Sequence, residues 1–330
     1  MVTVIIPSYN YSKYIHDCIE SVFKSDFDPD CFEIVIVDDA STDNSIEVIE
    51  KLLRISPVPM KLIINDCNTG LIRTRNRAII HSSGELIFML DADNKIGHDC
   101  LQKHTQVLVS NPDVSCCYAP IRDFDNATGN LLGMRSDKPY DYNLLLNGAY
   151  IDAMAMYRKK DLLEVGLFDL KMPAIGWEDY ELWLRLGRNN KKVVFIEGNP
   201  LSLYRVHPDS MIKNTKDYEY NLLILYLKHK YKIRVPLKNT DQLFGLITGA
   251  EKLQEELLIA RSSPDLDKIT ELTRIIQCYR EELLILKTKI ELLENQITDC
   301  KAKTMAYENE IYRISKNTIC RLGLKLSSFF

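Results

Sequence analysis

No apolar run in the sequence approaches the ~18 residues that a bilayer-spanning helix needs, so no transmembrane segment is expected. The opening Met1-Val2-Thr3-Val4-Ile5-Ile6-Pro7 lacks the basic stretch, long apolar stretch and cleavage site of a secretory signal, which makes the cytoplasm the expected location. Glycine and proline are scarce, 13 and 12 in 330 residues, which excludes collagen-like and Pro/Gly-rich disordered chains. The nine cysteines are odd in number and never spaced C-x-x-C, so they read as small hydrophobes in a reducing compartment, not as a disulfide framework or zinc site. With 42 Lys+Arg against 46 Asp+Glu the chain carries no basic excess, and nucleic acid is not an expected partner. Neither Gly-x-Gly-x-x-Gly after the first strand nor Gly-x-x-x-x-Gly-Lys occurs, so the dinucleotide fingerprint and the P-loop are both absent.

What the chain does contain is rhythm. Short β-branched runs at Val2 to Pro7, Glu33 to Val37, Met60 to Ile64, Glu85 to Leu90 and Val114 to Tyr118 alternate with segments of helical period. That is βαβ, and it predicts an α/β fold with a mainly parallel sheet. Strands covered on both faces should be almost continuously apolar, as Val-Thr-Val-Ile-Ile and Leu-Ile-Phe-Met-Leu are. From about Asp125 the rhythm weakens into a loop-like stretch, then helices after Arg158, from Glu178 to Leu186 and around Asn221 to His229, with a strand at Val193 to Ile196.

In an open parallel sheet ligands bind beyond the carboxyl ends of the strands. Those ends are polar here: Pro7-Ser8-Tyr9-Asn10, Asp38-Asp39-Ala40-Ser41-Thr42-Asp43, Asn65-Asp66 and Asp91-Ala92-Asp93-Asn94. Five Asp-x-Asp pairs occur, but only Asp91/Asp93 directly follows a fully apolar strand, where residues i and i+2 point the same way. Hard oxygen ligands suit Mg2+ or Mn2+, which commonly bridge carboxylates to phosphates. The alternative is that Asp93 or Asn94 caps the helix beginning near His98.

These residues resemble family 2 glycosyltransferases of the GT-A type over about the first 210 residues. The resemblance implies a nucleotide-diphospho-sugar transferase fold, Rossmann-like, in residues 1–232. In it Pro7, Tyr9 and Asn10 contact the nucleotide and Asp39 reads the base. Asn68-Thr69-Gly70 and Arg75-Asn76 lead into Asp91-Ala92-Asp93, so Asn68, Arg75, Asp91 and Ala92 join the donor site. Gly176-Trp177-Glu178-Asp179 is similar to the acidic pair that supplies the catalytic base, and Tyr204-Arg205-Val206-His207 to a segment that closes on diphosphate and metal. Asp91, Asp93 and His207 are then the metal ligands. Thr74 departs from the family's usual Ala, and Asn94 from a common third Asp.

The implied reaction is inverting, metal-dependent transfer of a sugar, hexosyl or N-acetylhexosaminyl, from a nucleotide-diphosphate sugar (a UDP-sugar first) to a saccharide or glycolipid hydroxyl in polysaccharide or glycoconjugate synthesis. Asp179 opens a helix, whose dipole would keep it ionised as the base; the alternative is an N-terminal helix acid beside a core Trp. His207 is equally a packed histidine after a strand, and Trp177 either stacks on the acceptor or packs. Two rival functions are a coiled-coil scaffold with an inactive domain, and a nucleotidyltransferase, which should carry a Gly/Arg/Lys-rich loop where Pro7-Ser8-Tyr9-Asn10 stands.

A linker is expected at 233–250 and a coiled coil at 251–320. Ile269, Ile276, Leu283, Ile290 and Ile297 begin a 4,3 repeat, with Leu272, Leu286 and Leu293 among the alternate positions. Ile at a, Leu at d and the attractive pairs Glu282/Lys287, Lys289/Glu294 and Lys303/Glu308 predict a parallel homodimer. Residues 321–330 form an amphipathic tail, read as a peripheral contact with the inner membrane face or as a docking segment for a neighbouring chain.

Overall fold

Seven buried residues in a row make up strand β1 (Val2–Ser8) and another seven make up β2 (Phe32–Asp38), because both faces of their sheet are covered. Successive side chains go to opposite sides. Ile5, Val35, Val37, Ile87 and Met89 enter one core, while Val4, Ile6, Ile34, Ile36 and Phe88 enter the other. The computed structural model describes residues 1–172, 176–208 and 217–238. The expected coiled coil, the tail and residues 239–250 of the expected linker lie outside the described residues.

Beyond β1 and β2 the chain runs through α1 (Ile15–Phe23), α2 (Ser45–Arg54), β3 (Met60–Ile64), α3 (Leu71–His81), β4 (Leu86–Met89), β5 (Lys95–Ile96), α4 (Cys100–Ser110) and β6 (Val114–Tyr118). It continues with β7 (Ile121–Asp125), β8 (Leu131–Arg135), α5 (Tyr142–Leu145), β9 (Met156–Arg158), α6 (Lys159–Glu164), α7 (Glu178–Arg188), β10 (Lys192–Phe195), β11 (Ser202–Val206) and α8 (Asp217–Tyr231). The main sheet has the order β10-β6-β9-β4-β1-β2-β3. All its pairs are parallel except those of β9, which lies antiparallel between β4 and β6. Helices α1, α2 and α4 feed the core on one face; α3, α7 and α8 feed the other.

The stretch after Asp125, expected to be loop-like, holds instead β8, α5 and β9. Of these, β8 joins β5, β7 and β11 in a second sheet, β5-β11-β7-β8, that the helical and alternating patterns did not reveal. Ile233 and Val235 are buried in the same core, and Asn221 clasps Lys238 through both amide atoms at 2.7 and 2.8 Å. The packed unit therefore runs on through Lys238, past the expected boundary at 232. Among the described cysteines, Cys18, Cys100, Cys116 and Cys117 are buried as expected of small hydrophobes, but Cys31 and Cys67 are exposed. No helix among the described residues is long and apolar enough to cross a membrane.

Chain order places the site. After β1 the chain moves outward through β2 and β3, then returns to add β4 on the other side of β1. The crevice left at that reversal opens beyond the carboxyl ends of β1 and β4, where Pro7 to Asn10 and Asp91 to Asn94 emerge. Close approach at the opposite end depends on Gly84, whose N–H donates to Thr3 Oγ1 at 2.9 Å; a Cβ there would sit 2.7 Å from the Thr3 nitrogen.

Candidate active site

The loops after β1 and β2 are laced together by side chains that accept from backbone. Asn10 adopts φ +59°, and its Oδ1 accepts from the N–H groups of Thr42 (2.8 Å) and Asp43 (3.3 Å). In return its own N–H reaches Ser41 Oγ, and those of Tyr11 and Ser12 reach Ser45 Oγ and Asp43 Oδ2. Asp39 ties in the third strand end: its carboxylate accepts from Asn65 Nδ2 (2.6 Å), from Thr69 N–H and Oγ1 (2.8 and 2.9 Å) and from Gly70 N–H (2.7 Å). Burial pushes this carboxyl up, but the bonds from Thr69, Asn65 and Gly70 outweigh it and hold Asp39 below the ordinary range. Short polar residues at the strand ends thus fix one wall of a cavity of about 510 Å³, lined among others by Pro7, Tyr9, Asn10, Asp39 and Asn68.

The opposite wall is organised by Arg75 of α3, which is buried. Its Nη2 donates to Asp91 Oδ1 at 2.5 Å and its Nη1 to Glu178 Oε1 at the start of α7, while Phe168 lies 5.3 Å below the guanidinium. Burial works against the charge, yet the carboxylates of Asp91, Glu178 and Asp179 more than restore it, so Arg75 stays cationic. Glu178 spends its other oxygen on the Gly176 N–H at 2.9 Å. One cation therefore ties the end of β4 to the beginning of α7.

Two residues on from Asp91, past the buried Ala92, Asp93 meets His207: Nε2 lies 3.0 Å from Oδ2. Burial raises the Asp93 carboxyl above its ordinary range, His207 opposes the rise and Asp91 adds to it. His207 Nδ1 is buried with no hydrogen-bond partner among the described residues, and the ring packs 4.6 Å from that of Tyr14. The capping alternative does not hold, since Asp99 occupies the N-cap of α4 and Asn94 Oδ1 accepts instead from the Arg205 N–H of β11. Arg205 adds a brace, donating from Nε to the Asp93 carbonyl (2.7 Å) and from Nη2 to Asp17 (3.0 Å). Among the described residues no three ligating side chains converge on one point.

Asp179 lines the cavity free of the Arg75 clamp. Its Oδ1 accepts from the Tyr180 N–H at 2.7 Å. The expectation that the helix dipole keeps it ionised meets a stronger effect: burial, then the charges of Glu178 and Asp152, push the carboxyl well above its ordinary range, with Arg75 and the Tyr180 amide pulling the other way. Trp177 packs edge-on against Tyr180 and Tyr220, with ring centroids 6.2 and 5.7 Å away, and does not belong to the cavity lining. Among the lining residues that escaped the sequence reading are Ser8, whose buried hydroxyl has no partner among the described residues, Tyr11, Asp152 and Tyr204. Ser8 and Tyr204 lay inside quoted motifs, whereas Asp152 falls in the stretch read as loop and carried no local signal.

Residues 3–166 match Glycosyl transferase family 2. A relative in Escherichia coli, UDP-Glc:alpha-D-GlcNAc-diphosphoundecaprenol beta-1,3-glucosyltransferase WfgD, is 28% identical over 215 residues, 65% of this chain and 80% of that protein. In structure the chain resembles Staphylococcus aureus TarS 1-349, solved in complex with UDP-GlcNAc, with a TM-score of 0.57 at 18% identity over 85% of this chain and 92% of that one. It also resembles the mannosyltransferase PcManGT of Pyrobaculum calidifontis, solved with GDP-Man and Mn2+, with a TM-score of 0.54 at 17% identity over 88% and 84%. The α/β fold is thus that of GT-A glycosyltransferases. Both β1 and β4, with the strand ends that line the cavity, fall inside the residues that match Glycosyl transferase family 2.

Proposed function

We propose that the protein is an inverting glycosyltransferase that moves a sugar from a nucleotide-diphosphate sugar, a UDP-sugar first, to a saccharide or glycolipid hydroxyl. One observation carries the reading: of the two neighbouring acids at the start of α7, Glu178 is bound by Arg75 while Asp179 lines the cavity unclamped, facing the strand ends that carry Asp91 and Asp93. The names of the relatives, a UDP-Glc transferase and a protein crystallised with UDP-GlcNAc, favour uridine donors.

In this account the nucleotide lies along Pro7, Tyr9, Asn10, Asp39 and Asn68, with its diphosphate toward Asp91, Ala92 and Asp93. The acceptor oxygen attacks the anomeric carbon from the side opposite the leaving phosphate. A C–O bond forms there while the sugar–phosphate C–O bond breaks, the nucleoside diphosphate departs with the electron pair, and the hydroxyl proton passes to Asp179. A single displacement inverts the anomeric centre. The raised proton affinity of Asp179 makes it a stronger base than an ordinary carboxylate once ionised. Arg75 keeps Glu178 and Asp91 in place and is a positioning residue more than a donor contact.

A divalent cation, Mn2+ or Mg2+, fits this wall chemically: Asp93 is a carboxylate whose charge is poorly compensated, and its neighbour His207 has an orphaned ring nitrogen. Asp93 would be its first ligand, with Asp91 and His207 the further candidates on this wall and phosphate oxygens and water making up the shell as hard cations prefer. Such an ion would neutralise charge on the departing diphosphate. The test is a screen of UDP-glucose, UDP-N-acetylglucosamine and GDP-mannose for nucleoside diphosphate release with Mn2+. Release from a donor, lost in excess EDTA and in Asp93→Ala with an unchanged circular dichroism spectrum, is the expected outcome. Undiminished release in EDTA would remove the metal from the account.

A further inference from the structure

Asp152 lies in the segment between α5 and β9 and lines the same cavity as Asp91, Asp93 and Asp179. Its main chain is held on both sides. The N–H donates to Ser136 Oγ at 2.9 Å, and the carbonyl accepts from the Trp183 indole at 3.3 Å. The carboxylate is less well provided for. Oδ1 accepts from the Met154 N–H at 3.0 Å, but among the described residues the cation nearest Oδ2, Arg135, stands 3.7 Å away, beyond hydrogen-bond reach. Arg135 is committed elsewhere, donating twice to Asp123 at 2.6 and 2.9 Å and stacking 3.4 Å over the ring of Tyr204.

A largely buried carboxylate, its side chain 13% exposed, with acceptor capacity left over needs donors from elsewhere. Two features say which donors. Asp152 shares the cavity with Asp91 and Asp179 and stands within electrostatic reach of both: burial and then the Asp91 charge push its carboxyl up to about 6, and Asp152 in turn raises Asp179. In the proposed reaction the group between the diphosphate end and the base is the sugar being transferred. Its ring hydroxyls are hydrogen-bond donors, and two adjacent ones can share a carboxylate.

We propose that Asp152 selects the transferred sugar, its carboxylate accepting hydrogen bonds from a neighbouring pair of ring hydroxyls. The inference rests on the glycosyltransferase reading of this cavity and adds a residue to it. A buried carboxylate left without its hydroxyls is costly, so a sugar lacking one of them is discriminated against strongly. The role is one of specificity and needs no proton transfer by Asp152.

The test uses the full-length protein with Mn2+, and compares wild type with Asp152→Asn and Asp152→Ala. UDP alone is titrated by calorimetry. UDP release is then measured on whichever of UDP-glucose or UDP-N-acetylglucosamine the wild type turns over, and on its 3-deoxy and 4-deoxy counterparts. We expect the UDP Kd to stay within twofold, kcat/KM on the intact sugar to fall at least ~10-fold, the scale of a lost hydrogen bond to a charged group, and the penalty to shrink on at least one deoxy donor, which has already lost one hydroxyl of the pair; a penalty of the same size on both deoxy donors overturns the assignment. Unchanged kcat/KM in both variants, or a UDP affinity that falls in parallel with it, overturns the assignment. A wild type that binds UDP but neither UDP-sugar overturns the glycosyltransferase reading itself, and the assignment with it.

Discussion

At the scale of single residues, the site is governed by how few cations serve many carboxylates. Arg75 answers both Asp91 and Glu178, and nothing else described replaces it. Arg75→Met keeps the length but leaves the buried Glu178 and the part-exposed Asp91 uncompensated, so denaturant unfolding should show a loss of about 3–5 kcal/mol; a loss under 1 kcal/mol would show that the acids find other partners. Asp179 behaves in the opposite sense. In the unfolded chain its carboxyl titrates at the ordinary 3.8, whereas in the folded protein it holds its proton to higher pH. Between those two values the folded state binds the proton more tightly, so stability falls as pH rises through the interval. Asp179→Asn should therefore melt above wild type at neutral pH, with the difference closing as the pH falls below 3.8. For the same reason the acid limb of kcat/KM should lie above the usual carboxylate range, and a limb at about 4 would contradict the raised proton affinity.

At the scale of elements, what was legible followed from burial on two faces. β1, β2, β4 and β6 are runs of apolar residues bounded by polar ends, and the structure places each within a residue or so of its expected limits. β5, β7, β8 and β11 were not read as a sheet, nor β9 as a strand of the main one, and the reasons are physical. β5 has two residues and β9 three, too few to show a period, while β8 is an edge strand whose Leu131 and Leu132 face solvent and whose centre is a glycine. Register between distant strands is set by tertiary pairing that no local pattern records. The same distinction divides the site. Asp39, Asp91 and Asp93 announced themselves by following strands, but Asp152 is brought in by a segment without regular structure. The packing of β1 on its neighbours is testable at Gly84: Gly84→Ala forces a methyl against the Thr3 backbone, and a cost of about 1–3 kcal/mol is expected from overpacking. A variant as stable as wild type would show that the strand ends there can shift apart.

At the scale of the whole molecule, the heptads from Ile269 onward still carry the expectation of a parallel homodimer, which the described residues do not address. Light scattering should find a dimer for the full chain and a monomer for a truncation after Gly249; a monomeric full chain, or a truncation that stays dimeric, would place the association elsewhere. The catalytic account belongs to residues 1–238 and does not depend on that outcome. Its central claim is that Asp179 takes the acceptor proton beside a nucleotide-sugar site built from strand ends. The most direct measurement is kcat for transfer from a UDP-sugar by wild type and Asp179→Asn, with donor Kd measured in parallel. The account predicts a fall in kcat of at least ~10²-fold, the scale of a lost general base, at nearly unchanged donor Kd. An Asn variant that retains kcat, or that loses donor binding in proportion, would contradict it.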